Sequence, residues 1–410
     1  MRITLDAALY RTICVVLTVA IFFSNFANYS ERWGFIPLYW VEVLVALTAP
    51  LLAGSVFGQR LPIRPLMVWC AGFLLISIAW YFPSTQDAVA YQQVQTRILS
   101  VIFVFLVLFL LSRPAEQHLA RVVVAFTVLL GVALNVYEVF HPLTFSKIPG
   151  RSSGLFENSN QSGCALVLGL ILSYGVVPSR LRIPFVALAG IGIVTTFTRS
   201  AILGWMVVVC YFAVRSKLRV RQLRGLLVFG LVVGGFVFSP YWGELQHNLE
   251  ARGVLDLSNL QRLAFFSHGT ATDQSADDRR TIAELGWRYF EEKPLTGHGT
   301  GAFRNVPGSE QGTHNIYIAM MVDHGIIGLF IVPTLILAVV WGVNRTTLDI
   351  AGPFALFLMM WGFFSHNVLE ERYILLAATL VACQVTSARA RRMATAPDRA
   401  SVPAGAWARA

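Results

Sequence analysis

Charged side chains are scarce in this sequence. Asp, Glu, Lys and Arg make up 13% of its 410 residues, whereas 56% of the residues are hydrophobic. A soluble globule of this size needs more polar side chains than that to cover its surface. The composition therefore excludes an ordinary water-soluble protein and predicts one whose main solvent is lipid.

Cysteines are also few, and they lie inside or at the edge of apolar segments: Cys14, Cys70, Cys164, Cys210 and Cys383. Free cysteines in such positions usually act as small buried hydrophobic residues. Their spacing fits neither a disulfide framework nor a set of metal ligands. We expect no cofactor and no bound metal ion.

Long apolar runs recur along most of the chain, and each can cross roughly 30 Å of hydrocarbon as a helix. The predicted transmembrane helices cover residues 9–27, 36–57, 65–82, 97–111, 119–140, 161–177, 183–198, 200–214, 225–240, 325–342, 350–365 and 372–386. The first lacks a small-residue cleavage site, so we interpret it as a retained helix. The sequence thus predicts an all-α, polytopic membrane protein with about 12 transmembrane helices.

Basic residues set the predicted orientation. With the N-terminus in the cytoplasm, every inner connection contains Lys or Arg, and the run Arg215–Arg224 is the most basic of them. This orientation explains most of the net charge of +10, so nucleic acid is not an expected partner. Both termini are then cytoplasmic, and one large loop lies on the outer face.

The predicted organisation has four parts, which are transmembrane helices 1–9 in residues 1–240, the outer loop in 241–313, helices 10–12 in 314–386, and a tail in 387–410. The outer loop contains a predicted helix, Arg280–Glu292, whose apolar residues recur with helical spacing and which ends before Pro294. Gly297, Gly299 and Gly301 follow as a flexible turn. The tail has no apolar period and is predicted to be disordered.

Two arginines on the outer side depart from this pattern. Arg199 lies in a connection of very few residues between two apolar segments, and Arg151 lies in a moderately short outer loop. A cation at that depth normally faces an interior cavity and has an anionic partner. The alternative is that either side chain extends to lipid headgroups.

A polar pair, His314-Asn315, opens an apolar segment after the outer loop. We expect Thr313 or His314 to cap this helix, which places the imidazole near the outer boundary of the membrane. A metal site is the competing interpretation, but His324 would stand about 15 Å from His314 along a continuous helix. Carboxylates of the outer loop resemble those of metal-dependent sugar transferases only loosely: Asp273, Asp277 and Asp278.

Several short motifs together carry a family resemblance. The main signature is His314-Asn315, nine residues, Gly325, two residues and Gly328. The further motifs, in chain order, are Gly154–Asn160, Thr198-Arg199-Ser200, Asp278-Arg279 with Trp287, Tyr289-Phe290 and Pro294-Leu295, and the glycine turn Gly297–Gly301. From about residue 151 to residue 328 the chain resembles the O-antigen ligase superfamily, which also contains O-antigen polymerases and protein O-oligosaccharyltransferases.

The resemblance implies a reaction and a set of site residues. Members of this superfamily move a glycan from an undecaprenyl diphosphate carrier to an acceptor at the periplasmic face, without an essential metal. It implies that His314 is the catalytic base and that arginines bind the donor diphosphate, namely Arg199 and Arg279, with Arg280 and Arg151 as further candidates. The family's loop arginine could be Arg279 or Arg280, and counting back from Pro294 favours Arg279. Supporting motif residues are Asn315, Gly325, Gly328 and Asn160.

The leading hypothesis is an O-antigen ligase in the bacterial inner membrane, which transfers O-antigen glycan to lipid A-core oligosaccharide with inversion. The expected partners are the undecaprenyl-diphosphate-linked donor, that acceptor and membrane lipids. An O-antigen polymerase, whose acceptor is another carrier-linked glycan, stays open. Protein O-oligosaccharyltransferases often carry an added C-terminal periplasmic domain. This sequence shows none, which makes that alternative weaker. A membrane transporter, the non-enzyme alternative, predicts ionisable residues near mid-span, and spans 1–9 have few.

Overall fold

The computed structural model describes residues 6–56, 64–147, 150–215, 274–305 and 313–395. These residues form α-helices and four short 3-10 helices, and they contain no β-strand. The α-helices are α1 (Ala7–Phe23), α2 (Phe26–Tyr29), α3 (Pro37–Val56), α4 (Pro65–Ala79), α5 (Ala88–Leu110), α6 (Pro114–Phe140), α7 (Ser159–Ser173), α8 (Arg182–Val194), α9 (Arg199–Val214), α10 (Gln274–Glu292), α11 (Ile316–His324), α12 (Ile331–Val340), α13 (Leu348–Trp361) and α14 (Arg372–Thr395). The predicted all-α fold is confirmed.

Within the described residues, four helical segments are long and apolar enough to cross a membrane: Ala88–Leu110, Pro114–Phe140, Ile316–Val340 and Arg372–Arg392. A fifth candidate is the pair Ala7–Phe23 and Phe26–Trp33, which is bent by 67°. Other apolar helices in the described ranges are shorter, with 10–17 residues. These segments mark the chain as a membrane protein. The predicted apolar segments coincide with helices except for residues 225–240, which lie outside the described residues, and the number of twelve spans stays a prediction.

Several helix boundaries differ from the predicted ones. The span expected to start at residue 325 starts at Ile316, and a 3-10 helix, Gly325–Phe330, interrupts it. α14 continues to Thr395, into the segment that was predicted to be a disordered tail, while residues 396–410 lie outside the described part. The helix predicted in the outer loop is confirmed as α10, which begins at Gln274 and ends at Glu292.

α7 lies in the interior of the bundle and fixes the helices around it. It packs against α6, α8, α9, α13 and α14, and its residues from Ser162 onward are buried. Small residues permit this close approach. A Cβ at Gly163 would stand 2.6 Å from Cβ of Ala201 in α9, and one at Gly169 would overlap Val128 of α6. The start of α9, at Arg199, is therefore held close to the start of α7.

Connections at one end of the bundle pack against each other, and we name this the site end. It consists of the α4–α5, α6–α7, α8–α9 and α13–α14 connections together with residues 293–305 and 313–315. Backbone hydrogen bonds join these segments: Thr300 N donates to Trp80 O (3.0 Å), Ser152 N to Thr195 O (3.1 Å) and Ile316 N to Gly362 O (2.9 Å). The site end thus brings together residues that are far apart in the sequence.

Candidate functional site

His314 occupies a sharp turn at the site end. Its backbone φ is 48°, a left-handed conformation that few non-glycine residues adopt. The Oγ1 hydroxyl of the buried Thr313 donates to the carbonyl of Asn315 (2.9 Å) and closes the turn. The imidazole meets the ring of His366 edge to face, with 5.3 Å between centroids. The turn therefore presents the side chain of His314 to the α13–α14 connection.

The cap of α11 is Asn315, so the prediction of Thr313 or His314 was wrong. Oδ1 of Asn315 accepts hydrogen bonds from the N–H groups of Tyr317 (3.0 Å) and Ile318 (3.3 Å). Asn is among the residues that best satisfy these unpaired donors. Because the cap belongs to the next residue, the imidazole of His314 is left for other contacts.

Burial, and then the positive charge of Arg279, lower the pKa of His314 from 6.5 to about 4. α10 brings Arg279 there because it packs tightly on the His314 turn, where a Cβ at Gly286 would stand 2.9 Å from Cγ2 of Thr313. Arg280 differs, since it is exposed and its Nε donates to Glu284 (3.0 Å). Of the two loop arginines, the structure thus brings Arg279 to the histidine.

Arg151 and Asn160 meet the turn that precedes Arg199. Nε of Arg151 donates to Thr196 O (3.2 Å), and its Nη2 donates to Oδ1 of Asn160 (3.0 Å) and to Oγ1 of Thr198 (3.1 Å). Arg151 is buried, whereas Arg199, the first residue of α9, is partly exposed. The structure therefore brings Arg151, Asn160 and Arg199 into one corner, which we name the Arg199 corner.

The α13–α14 connection links the Arg199 corner with the His314 turn. Gln161 donates to Glu371 (2.5 Å), and Glu370 forms an ion pair with Arg304 (2.8 Å). Burial, and then the charge of Glu370, raise the pKa of Glu371 to about 8. His366, in the same connection, is the residue that packs on His314. Both parts of the candidate site thus contact a single polar connection.

The glycine turn at residues 297–301 is docked, so the prediction of a flexible turn was wrong. Gly299 N donates to Asp323 O (3.0 Å), and the carboxylate of Asp323 accepts from Gly301 N (3.0 Å) and from Arg97 Nη2 (2.6 Å). At Gly297, where φ is 66°, a Cβ would overlap the carbonyl oxygen of Asp323. Only glycine permits an approach this close.

The two motif glycines, Gly325 and Gly328, have packing roles. A Cβ at Gly325 would stand 2.5 Å from the carbonyl of Leu295, and one at Gly328 would overlap the carbonyl of Met320. The first contact docks the end of α11 on the segment after α10. The second folds the 3-10 helix back on α11. Together they set the position of the helix that follows His314.

Two features of the site were not predicted from the sequence: the ion pair between Asp323 and Arg97, and the contact of His366 with His314. Asp323 and Arg97 form a fully buried ion pair, and His324 contacts the same arginine, with 2.9 Å between its Nε2 and Arg97 Nη1. A charged residue inside an apolar segment needs a partner, so Asp323 was a usable signal. His366 offered none, because an isolated histidine in a connection has no pattern around it.

The metal interpretation concerns residues that are partly undescribed. Asp273 and the side chain of Asp277 lie outside the described part of the chain, and Asp278 is exposed on α10. Within the part that the structure describes, no group of three or more His, Cys, Asp and Glu residues could hold a metal ion. The expected absence of a metal stays a prediction.

Comparison with known families agrees with the motifs. Residues 184–333 match the family described as O-Antigen ligase. The matched range contains Arg199, Arg279 and His314, and it leaves out Arg151 and Asn160. No curated protein matches the chain. The family match and the order of the motifs agree: residues 184–333 of this chain are similar to the O-antigen ligase family.

Proposed function

We propose that this protein is an O-antigen ligase of the bacterial inner membrane. It transfers O-antigen glycan from undecaprenyl diphosphate to lipid A-core oligosaccharide at the periplasmic face. The observation that carries the proposal is the His314 turn, where a histidine with a pKa of about 4 lies beside Arg279 at the start of a candidate membrane span. In the proposed reaction this arrangement supplies a neutral base next to a cation, and a lipid-borne anionic donor meets both at the membrane boundary.

His314 is the proposed base. The acceptor hydroxyl attacks the anomeric carbon, the bond between that carbon and the diphosphate oxygen breaks, and the hydroxyl proton passes to the imidazole. Attack opposite the leaving group inverts the anomeric centre. A base must be unprotonated to act, and a pKa of about 4 keeps His314 neutral at pH 7.

A pKa this low also makes the imidazole of His314 a weak proton acceptor in the free protein. Binding of the donor would raise that pKa. Arg279 is one of the two causes of the low pKa. A diphosphate bound to Arg279 would offset its positive charge, so the pKa of His314 would rise once the donor is in place. The base then strengthens in the complex in which it has to act.

Arg199 and Arg279 are the proposed diphosphate ligands. A guanidinium stays charged and binds phosphate oxygens in pairs, so two of them can stabilise the charge that develops on the leaving diphosphate. The contacts of Arg280 with Glu284 support Arg279 as the loop ligand. No metal takes part in the proposed reaction.

The proposed topology has the site end in the periplasm and both termini in the cytoplasm. It rests on the basic residues of the inner connections, such as Arg113 and Arg180, which lie at the end of the bundle opposite to His314. On this topology α10 and the rest of the long loop are periplasmic. The site then faces the compartment in which the acceptor is exposed.

Deletion of the gene, with complementation by variants, tests the function. We expect the deletion strain to make lipopolysaccharide with bare core while carrier-linked polymer accumulates. Wild type and His141→Ala, a change at an exposed histidine of the site end, should restore the polymer on the core, whereas His314→Ala at equal abundance in the membrane should not. Core capped by one repeat unit in the deletion strain would show a polymerase instead, and unchanged lipopolysaccharide would reject both.

A further inference from the structure

Arg151 is engaged by protein groups at the edge with which a guanidinium binds phosphate. Its Nε and Nη2 form one of the two edges that can bind oxygens in pairs. In the structure this edge donates to the carbonyl of Thr196 and to the side chains of Asn160 and Thr198. The side chain is 6% exposed, so these acceptors satisfy donors that water does not reach readily.

The acceptors of Arg151 lie on both sides of a strained residue. Phe197, between Thr196 and Thr198, has a φ of 49°, which is unfavourable for an aromatic side chain. Such a conformation persists when its surroundings hold it in place. Thr198 adds a further contact, since its hydroxyl donates to Ser159 O at the start of α7 (3.1 Å). The bonds of Arg151 therefore hold the turn whose next residue is Arg199.

The described residues on both sides of Arg151 are held by one buried side chain. The buried carboxylate of Glu138, near the end of α6, accepts hydrogen bonds from Phe145 N (2.9 Å), Ser153 N (2.7 Å) and Gly154 N (3.2 Å). Ser146 N donates to the same carboxylate. Four backbone donors on one carboxylate fix the loop on both sides of Arg151. The guanidinium can therefore serve as a firm support.

We propose that Arg151 is a positioning residue that acts through Arg199 and is not itself a diphosphate ligand. This inference rests on the proposed function, because it takes Arg199 to be a ligand of the donor. Arg151 fixes the turn at Phe197, and the turn fixes the direction in which the first residue of α9 extends its side chain. Loss of Arg151 then lowers donor use because Arg199 is misplaced.

A double-mutant cycle on the purified full-length protein separates the two roles. kcat and KM for the carrier-linked donor are measured for wild type, Arg151→Ala, Arg199→Ala and the double variant. Misplacement of a binding group by about 1 Å can cost about 100-fold, so we expect Arg151→Ala to lower kcat/KM by about 10- to 100-fold. Added to Arg199→Ala, it should cost less than about 2-fold more, because the effects of two residues that act through one shared network are not additive.

Arg151→Lys distinguishes geometry from charge. A lysine keeps the cation but cannot bridge the acceptors on both sides of Phe197, so we expect kcat/KM close to that of Arg151→Ala. Lys147→Ala is the matched control, because it removes an exposed cation of the same loop and should leave kcat/KM unchanged. Full rescue by Arg151→Lys, or an equal loss in Lys147→Ala, would show that the loop acts through its charge.

The remaining outcomes are also decisive. Independent, additive losses in Arg151→Ala and Arg199→Ala would make Arg151 a ligand in its own right and overturn the inference. Full kcat/KM in Arg199→Ala would instead reject the proposed function of Arg199. If Arg151→Ala does not fold, as judged by its melting in detergent, Asn160→Ala and Thr198→Val remove acceptors while Arg151 stays. These variants should show the same non-additivity with Arg199→Ala, and additive losses would again overturn the inference.

Discussion

Replacement of Arg279 by glutamine should move the acid limb of the pH–rate profile upward. Burial and the charge of Arg279 lower the pKa of His314 from 6.5 to about 4, and burial is the larger cause. Removal of the charge should therefore raise the pKa by no more than about one pH unit. The neutral imidazole is the active form, so a higher pKa means that activity is lost sooner as the pH falls.

The size of the effect follows from the two pKa values. At pH 5 a group with a pKa of about 4 is about 90% deprotonated, and one with a pKa of about 5 is about 50% deprotonated. Arg279→Gln should also be slower at every pH, since a diphosphate ligand is lost. The position of the limb is independent of that loss, because it is read from the rate at each pH relative to the plateau.

The assay is kcat/KM of the purified protein between pH 3.5 and pH 8, which reports the pKa values of the free enzyme. Two other titrating groups of the site end have pKa values on either side of the expected limb, because burial lowers the pKa of His366 to about 3 and burial raises that of Glu371 to about 8. Arg279→Lys keeps the charge and should keep the wild-type limb. So should Arg280→Gln, because Arg280 extends to Glu284. A wild-type limb near pH 6.5, or equal movement in Arg280→Gln and Arg279→Gln, would refute the assignment.

Further predictions concern the base, the clamp, the topology and the metal. His314→Ala should bind carrier-linked donor yet turn it over about 10²- to 10⁴-fold more slowly, whereas His141→Ala should match wild type. Loss of donor binding in His314→Ala, with normal turnover of the donor that does bind, would make His314 a diphosphate ligand. Arg199→Lys should be badly impaired in ligation because it loses the planar fork, and full ligation at normal expression would favour contact with headgroups. Alkaline phosphatase fused at Ser258, outside the described residues, should be active and a fusion at Ala410 inactive, and the reverse would overturn the topology. Transfer by the purified protein should continue in chelator, and dependence on magnesium or manganese would contradict the proposed reaction.

The local features of the fold were predictable because the bilayer and the helix impose short patterns on the sequence. Apolar runs predicted the helical segments, and apolar spacing before Pro294 predicted α10. The boundaries were less predictable. His314-Asn315 was expected to open a helix, but the membrane span was expected to start only at residue 325, whereas it starts with α11 at Ile316. A 3-10 helix, Gly325–Phe330, continues the span through the two motif glycines.

The partners within the site were not predictable, because they come from contacts between distant segments. His366 is 52 positions from His314, and Arg97 is 226 positions from Asp323. No period or spacing in a single sequence encodes such pairs. Only the presence of a carboxylate in an apolar span predicts that some partner exists, and the fold supplies its identity.

The glycines show what the family motifs encode physically. Gly297 belongs to the glycine turn and Gly325 to the histidine motif, and in the structure a Cβ at Gly297 would stand 2.5 Å from Gly325 N. Ile326 N, next to Gly325, donates to Pro294 O (2.8 Å) on the other side of the same interface. The two motifs are thus halves of one backbone contact. That contact joins α11, which follows His314, to the segment that follows α10, which carries Arg279. The glycines therefore matter to the site because their contact sets how the segments next to the proposed base and the proposed diphosphate ligand pack together.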